Sequence, residues 1–167
     1  MDNGEDLKPV VAGSKGNWSR TLNNKTPKAN TTFKVKSGNH THLYHTDSRG
    51  RVNKVEGQLD LNKMDRNRYQ QKDVGKLENA TGDDGGHLIA STLGGAGDRI
   101  NIVPQASTLN RGDWKAMEDH LRKELKAGKT VSVKIDVGYP NGNTKRPNKF
   151  FVTATIDGVI KTYPFRQ

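Results

Sequence analysis

Trp114, Met117, Leu121 and Leu125 stand three and four residues apart, the one sustained helical period in the chain. Elsewhere the apolar residues alternate with polar ones or are too sparse to line a helix. Thr31–Lys36 (TTFKVK) and Thr41–His45 (THLYH) alternate across the turn Ser37-Gly38-Asn39, and Arg51–Leu59 reads as a third strand after Asp47-Ser48-Arg49-Gly50. Thr130–Val137 puts Val131, Val133, Ile135 and Val137 on one face, while Phe150–Ile156 and Val159–Tyr163 flank Asp157-Gly158, a two-residue hairpin signal. These segments predict an α+β fold, an antiparallel β-sheet with one main helix, Asn110–Ala127, capped by Gly128 and packed at the sheet edge. A length of 167 residues suits one domain. Residues 1–30 are polar, with Val10, Val11, Trp18 and Leu22 as scattered apolar points, so they are expected to form a linker or an arm anchored by Trp18 on a domain of residues 31–167.

The net charge of +10 points to a polyanionic partner, because lysines and arginines that neutralise phosphates release condensed counterions and bind without reading sequence. Residues 1–83 carry 15 basic and 10 acidic side chains, 84–118 carry 3 and 4, and 119–167 carry 10 and 4, so a nearly neutral centre is flanked by basic segments. Without cysteine there is neither a disulfide framework nor a zinc-thiolate site. No apolar run approaches the ~18 residues that span a membrane. The start MDNGEDLKPV has acids where a signal peptide has a basic and then an apolar run. Membrane insertion is therefore not expected, and any export is expected to belong to a larger protein.

The chemistry concentrates between Asp84 and Glu118. His87 follows Gly85-Gly86, which leave room for a substrate beside an imidazole whose ordinary pKa suits proton transfer. Downstream, Asn101 and Asn110 bracket Pro104 and a polar turn, with Asn110 near the helix start. Gly94-Gly95-Ala96-Gly97 lacks the lysine and hydroxyl of a phosphate-binding loop and reads as a turn. In residues 62–83, a short irregular helix or a loop, Arg66, Arg68 and Lys72 face either solvent or a phosphate backbone. His40, His42 and His45 lack a fourth ligand and read as a solvated polar edge, not a metal site.

Asp84-Gly85-Gly86-His87, Asn110, Glu118 and the string Asn101–Trp114 (NIVPQASTLNRGDW) resemble the ββα-metal DNA/RNA non-specific endonucleases, over about half the chain. Tyr139-Pro140 and Arg146-Pro147 resemble the later strands of the family's bacterial toxin branch. The resemblance implies a ββα-metal core, with His87 as general base, Asn110 as ligand of Mg²⁺ or another divalent cation such as Mn²⁺, and Glu118 holding water of the cation's shell. Asn101 would orient that shell or the phosphate. The family's arginine is Gly85 here, so its phosphate contact is expected from Arg51, Arg99 or Arg146.

The resulting expectation is a metal-dependent endonuclease acting on DNA, with RNA left open. It would be the toxin domain of a bacterial effector delivered into a target cell, restrained in its producer by an acidic immunity protein. Two other readings compete. One is an HNH-type nuclease with His120 as a second ligand, and the other is a catalytically silent basic domain that only binds nucleic acid.

Overall fold

The computed structural model describes residues 8–78 and 82–167, so residues 1–7 of the expected arm and 79–81 of the approach to the site lie outside the described residues. Strands β1 (Val10–Val11), β2 (Thr32–Ser37), β3 (His40–Thr46), β4 (Val52–Gln58), β7 (Val131–Gly138), β8 (Lys149–Ile156) and β9 (Val159–Arg166) form one sheet in the order β1-β2-β3-β4-β7-β8-β9. Every pairing in it is antiparallel except the short β1–β2 contact. Between β4 and β7 the chain leaves the sheet to build α1 (Arg68–Gly75), the pair β5 (Asp83–His87) and β6 (Ile102–Ala106), α2 (Ser107–Asn110) and α3 (Asp113–Lys126). Because β4 and β7 are nonetheless neighbours, this excursion is a unit laid against a continuous sheet.

Alternation decides which face of the sheet is covered. Val131, Val133, Ile135 and Val137 of β7 and Phe150, Val152, Ala154 and Ile156 of β8 are buried, while Ser132, Lys134, Lys149 and Phe151 between them are exposed. Trp114, Met117 and Leu121 of α3 join the same core, with the Trp114 ring 5.2 Å from Phe150 and 4.9 Å from Phe165. Each such large apolar side chain contributes about 1.5–3 kcal/mol by leaving water. Helix α3 thus lies on the sheet face, not at its edge as the sequence suggests. At the β8–β9 hairpin, consecutive positive φ angles at Asp157 (46°) and Gly158 (84°) supply the turn whose twist suits the strands.

Three local expectations need correction. Asn110 does not open the main helix, because it ends the short α2, and Arg111-Gly112 break the chain before α3 starts at Asp113. The polar turn expected between Pro104 and Asn110 is the end of β6, in which Pro104 lies opposite Gly85, followed directly by α2. Nor is His42 on a solvated edge: β3 is interior, the ring is fully buried, and its Nε2 donates to the Gln58 carbonyl at 2.9 Å. Gly57 leaves the space that this ring fills. His45 pairs with Glu56 at 2.8 Å, and no group of three or more His, Cys, Asp or Glu among the described residues is arranged to hold a metal.

Residues 8–30 lie against the rest of the chain. Gly13 N–H and Asn23 Nδ2 both donate to the buried Asp98 carboxylate at 2.8 Å, and Asn23 Oδ1 accepts from Arg99 N–H at 2.9 Å. The apolar anchor is Leu22, 1% exposed, whereas Trp18 is only half-buried.

Candidate active site

Strand β5 carries the Asp84–His87 motif against β6, with Gly85 opposite Pro104 and Gly86 opposite Val103. The two glycines have a packing role: a Cβ at position 85 would strike the Gln71 carbonyl of α1, and one at 86 would strike the Gln105 side chain. Gly85 is also part of the wall of the large cleft between α1 and α3. At position 85, where the family has an arginine, α1 sits directly on the backbone.

Beyond His87 the chain bends, and Asn101 holds the bend. Its Oδ1 accepts from Ile89 N–H at 3.0 Å, and its Nδ2 donates to the carbonyls of Ile89 and Ala96, both at 2.8 Å. The residue is fully buried and its donors are committed to backbone. Asn101 therefore shapes the loop that follows the histidine and does not reach a phosphate or a cation's shell, which corrects its expected role.

His87 is 8% exposed, between Gly85 and Ala90, which both line a cleft of about 1010 Å³. Burial, with Arg66 adding like charge, lowers its pKa to about 4. The ring is therefore neutral at neutral pH and able to accept a proton, and its buried Nε2 has no partner among the described residues.

Asp84, Asn110 and Glu118 line the same cleft. Asn110 Nδ2 donates to Asp84 Oδ2 at 3.0 Å, and Arg111 grips both carboxylate oxygens at 3.0 and 2.9 Å. With the amide nitrogen committed to Asp84, the amide oxygen of Asn110 is the atom left for a cation. Glu118 is half-buried, and burial raises its carboxyl to about 7 against the opposing charge of Arg122. An amide oxygen and a carboxylate in one cleft form a hard, sparse donor set, which fits a divalent cation that keeps most of its own waters.

The cleft wall carries seven basic side chains against four acids, so it attracts anions. None of the three expected phosphate ligands is among them. Arg51 donates to Asp47 at 2.9 Å and to the Thr144 carbonyl at 2.9 Å, and lies 4.3 Å over the Tyr139 ring. Arg99, 7% exposed, ties Gln70 and Asp73 of α1, and with Arg51 it lines a separate hollow of only about 80 Å³. Arg146 holds both oxygens of Asp83 at 2.7 and 3.0 Å. The cleft's own cations include Arg66, Arg68 and Lys72, with Arg66 braced by Ser91 Oγ at 3.2 Å. Opposite them are Arg111, Lys115 and Arg122, which sequence reading passed over. Lys115, Glu118 and Arg122 stand three and four residues apart on one face of α3, which would have been the signal, while Arg111 precedes the helix. His120, the second ligand of the HNH reading, is not in the cleft wall.

A neutral imidazole behind a cationic cleft sets a possible proton acceptor beside a wall that attracts polyanions. The chain belongs to the DNA/RNA non-specific endonuclease family, whose model matches residues 29–158. It is similar to the type VII secretion system protein EssD of Staphylococcus aureus, with 38% identity over 138 residues, covering 78% of this chain and 22% of EssD. It is also similar to the probable deoxyribonuclease RhsA of Dickeya dadantii, with 32% identity over 76 residues, 46% of this chain and 5% of RhsA. The fold matches NucA from Streptococcus agalactiae, solved with magnesium bound, at a TM-score of 0.61 and 20% identity over 86% of this chain and 75% of that one. The chain thus spans about a fifth of the length of EssD.

Proposed function

We propose that this domain hydrolyses phosphodiester bonds of DNA, and of RNA, with Mg²⁺ as its cation, and that it is the toxin part of a larger delivered protein. The observation that carries the reading is Asp84's hold on the Asn110 amide, in one cleft with Glu118. His87, neutral, takes the proton of the attacking water. Asn110 holds the cation through its amide oxygen, and Glu118 accepts hydrogen bonds from the surrounding water. When bound, the cation supplies Lewis-acid neutralisation of the charge on the departing oxygen. Arg66, Arg111 and Arg122 meet the phosphate, and because such contacts address backbone they select no sequence. A phosphate arriving beside Arg66 offsets that residue's charge and lifts His87 towards a stronger base.

Incubation of supercoiled plasmid and of structured RNA with Mg²⁺, Mn²⁺ or EDTA tests the chemistry. Cleavage with either cation, none in EDTA, and loss of more than about a hundredfold in His87→Ala are expected, in line with a general base's usual contribution. Cleavage of plasmid in EDTA would refute the metal reading.

The delivered role rests on the likeness to a protein of a type VII secretion system and on the small share of it that this chain covers. A sequence-indifferent nuclease endangers its producer, so the reading includes an acidic immunity protein drawn to the basic cleft. Expression of residues 1–167 in bacterial cytoplasm is expected to degrade the chromosome and stop growth, and His87→Ala to spare both. Equal growth with folded wild-type protein would refute the toxin reading.

A further inference from the structure

On the far side of α1 from the catalytic cleft lies an open groove of about 700 Å³, lined by Trp18, Arg20 and Asn24 of the N-terminal arm and by Asn67, Tyr69 and Gln70 of α1 and its cap. Tyr69 is 66% exposed and Trp18 half-buried, and the two aromatic side chains line one hollow. A single exposed tyrosine is ordinary, but a tyrosine and a tryptophan sharing a groove with an arginine is how unpaired bases are held, by stacking that any base can satisfy. The groove's amides add polar contact. Gln70 Oε1 accepts from Arg99 and Asn24 Oδ1 accepts from Thr26 N–H, which leaves the NH₂ groups of both as donors for acceptors on base edges.

The same helix faces both hollows. Arg68 and Lys72 of α1 line the catalytic cleft, while Tyr69 and Gln70 line the groove. The two are separated by one helix width, about 10–12 Å. A stacked strand covers that distance in about three nucleotides at ~3.4 Å each. Six of the nine residues that line the groove lie before 29, where the family match begins, so most of it comes from outside the matched nuclease core.

From this placement we infer that the Trp18–Tyr69 groove is a base-stacking subsite for unpaired nucleotides of the substrate, about three positions from the scissile phosphate. The inference rests on the nuclease reading for its substrate class. It gives the enzyme a preference for single strands and frayed ends over intact duplex.

Binding of a fluorescent 12-nucleotide single strand, and of a blunt duplex of the same sequence, to the full chain carrying His87→Ala in EDTA separates the groove from catalysis. Adding Tyr69→Ala is expected to weaken single-strand binding roughly 5- to 150-fold and to leave duplex binding within twofold. Tyr69→Phe should retain the parent affinity, and Tyr69→Leu, apolar but without a π-face, should resemble Ala. Trp18→Ala is expected to act in the same direction, with melting temperature checking its fold. Tyr69 is exposed, so its variants do not depend on that check. In otherwise wild-type protein, Tyr69→Ala should raise KM on single strands and leave kcat unchanged. Single-strand binding that is unchanged in Tyr69→Ala, or equal loss on both substrates, overturns the inference and leaves the groove to another partner. Failure of the wild type to cleave any nucleic acid would overturn the nuclease reading instead, while the binding comparison would still be read.

Discussion

At the scale of single residues, burial makes the charged forms of His87 and Glu118 the ones that cost the fold. Glu118's carboxyl is raised from 4.5 to about 7, so the folded chain keeps a proton that the unfolded chain has released, and the stability present at low pH is lost as pH climbs from about 4.5 to 7. His87 runs the other way: its pKa falls from 6.5 to about 4, so stability rises with pH across that window. The two slopes oppose each other over the shared range. Glu118→Gln should therefore stabilise the cation-free protein by on the order of 2–3 kcal/mol at pH 8 and by little at pH 4. Urea unfolding at the two pH values checks this, and an equal gain at both would contradict the buried carboxylate as its cause. In activity the order reverses. Asn110→Ala should lose cleavage at every Mg²⁺ concentration, whereas Glu118→Ala should recover in part as Mg²⁺ is raised, because a residue acting through water of the shell is offset by more cation. Rescue of both to the same degree in a Mg²⁺ titration would overturn the two roles.

Among the elements, α1 is the one that sets this chain apart from the motif it carries. Its Gln71 carbonyl lies where a Cβ at position 85 would be, and Gln71 Nε2 also donates to the Gly85 carbonyl at 3.3 Å. Restoring the family's residue with Gly85→Arg should thus cost about 1–3 kcal/mol from overpacking and lower cleavage, not raise it. A Gly85→Arg protein that melts like wild type and cuts faster would show that α1 yields. The same helix is tied to the rest by Arg99, through Gln70 and Asp73, and by Asn67, which caps it by accepting from Gln70 N–H at 3.1 Å. Arg99 works for the cleft by placing the helix that carries Arg68 and Lys72.

At the scale of the whole molecule, the cleft collects charge from segments far apart in the chain. The central stretch 84–118 has one more acid than it has bases, yet the cleft wall is basic because α1 and the later part of α3 fold over it. Phosphate contacts made there should appear in the salt dependence of duplex binding. With His87→Ala in EDTA, Arg68→Ala and Lys72→Ala are each expected to reduce the log–log salt slope by about 0.9. Arg51→Ala should leave the slope and lower the melting temperature, since it frees Asp47 and two carbonyls on another side of the fold. A slope unchanged by the first two variants would remove α1 from the phosphate path.

What the amino-acid order determined by itself is what depends on near neighbours. The alternation of Val131, Val133, Ile135 and Val137, the Asp157-Gly158 turn and the spacing of Trp114, Met117 and Leu121 are local periodicities, and the elements formed where those periods run. The Asp84–His87 motif and the eight-residue step from Asn110 to Glu118 carried the resemblance to the family whose model matches residues 29–158. Which arginine serves that site was not legible, because Arg51, Arg99 and Arg146 are claimed by Asp47, Asp73 and Asp83, and only Asp47 is near its partner in the chain. The purpose of Gly85, the capture of Asn101 by Ile89 and Ala96, and the burial of His42 also follow from where backbone and side chains meet once the chain has closed. Such contacts are decided by exclusion of volume and by competition for hydrogen-bond partners across the tertiary structure, and neither leaves a periodic mark along the chain.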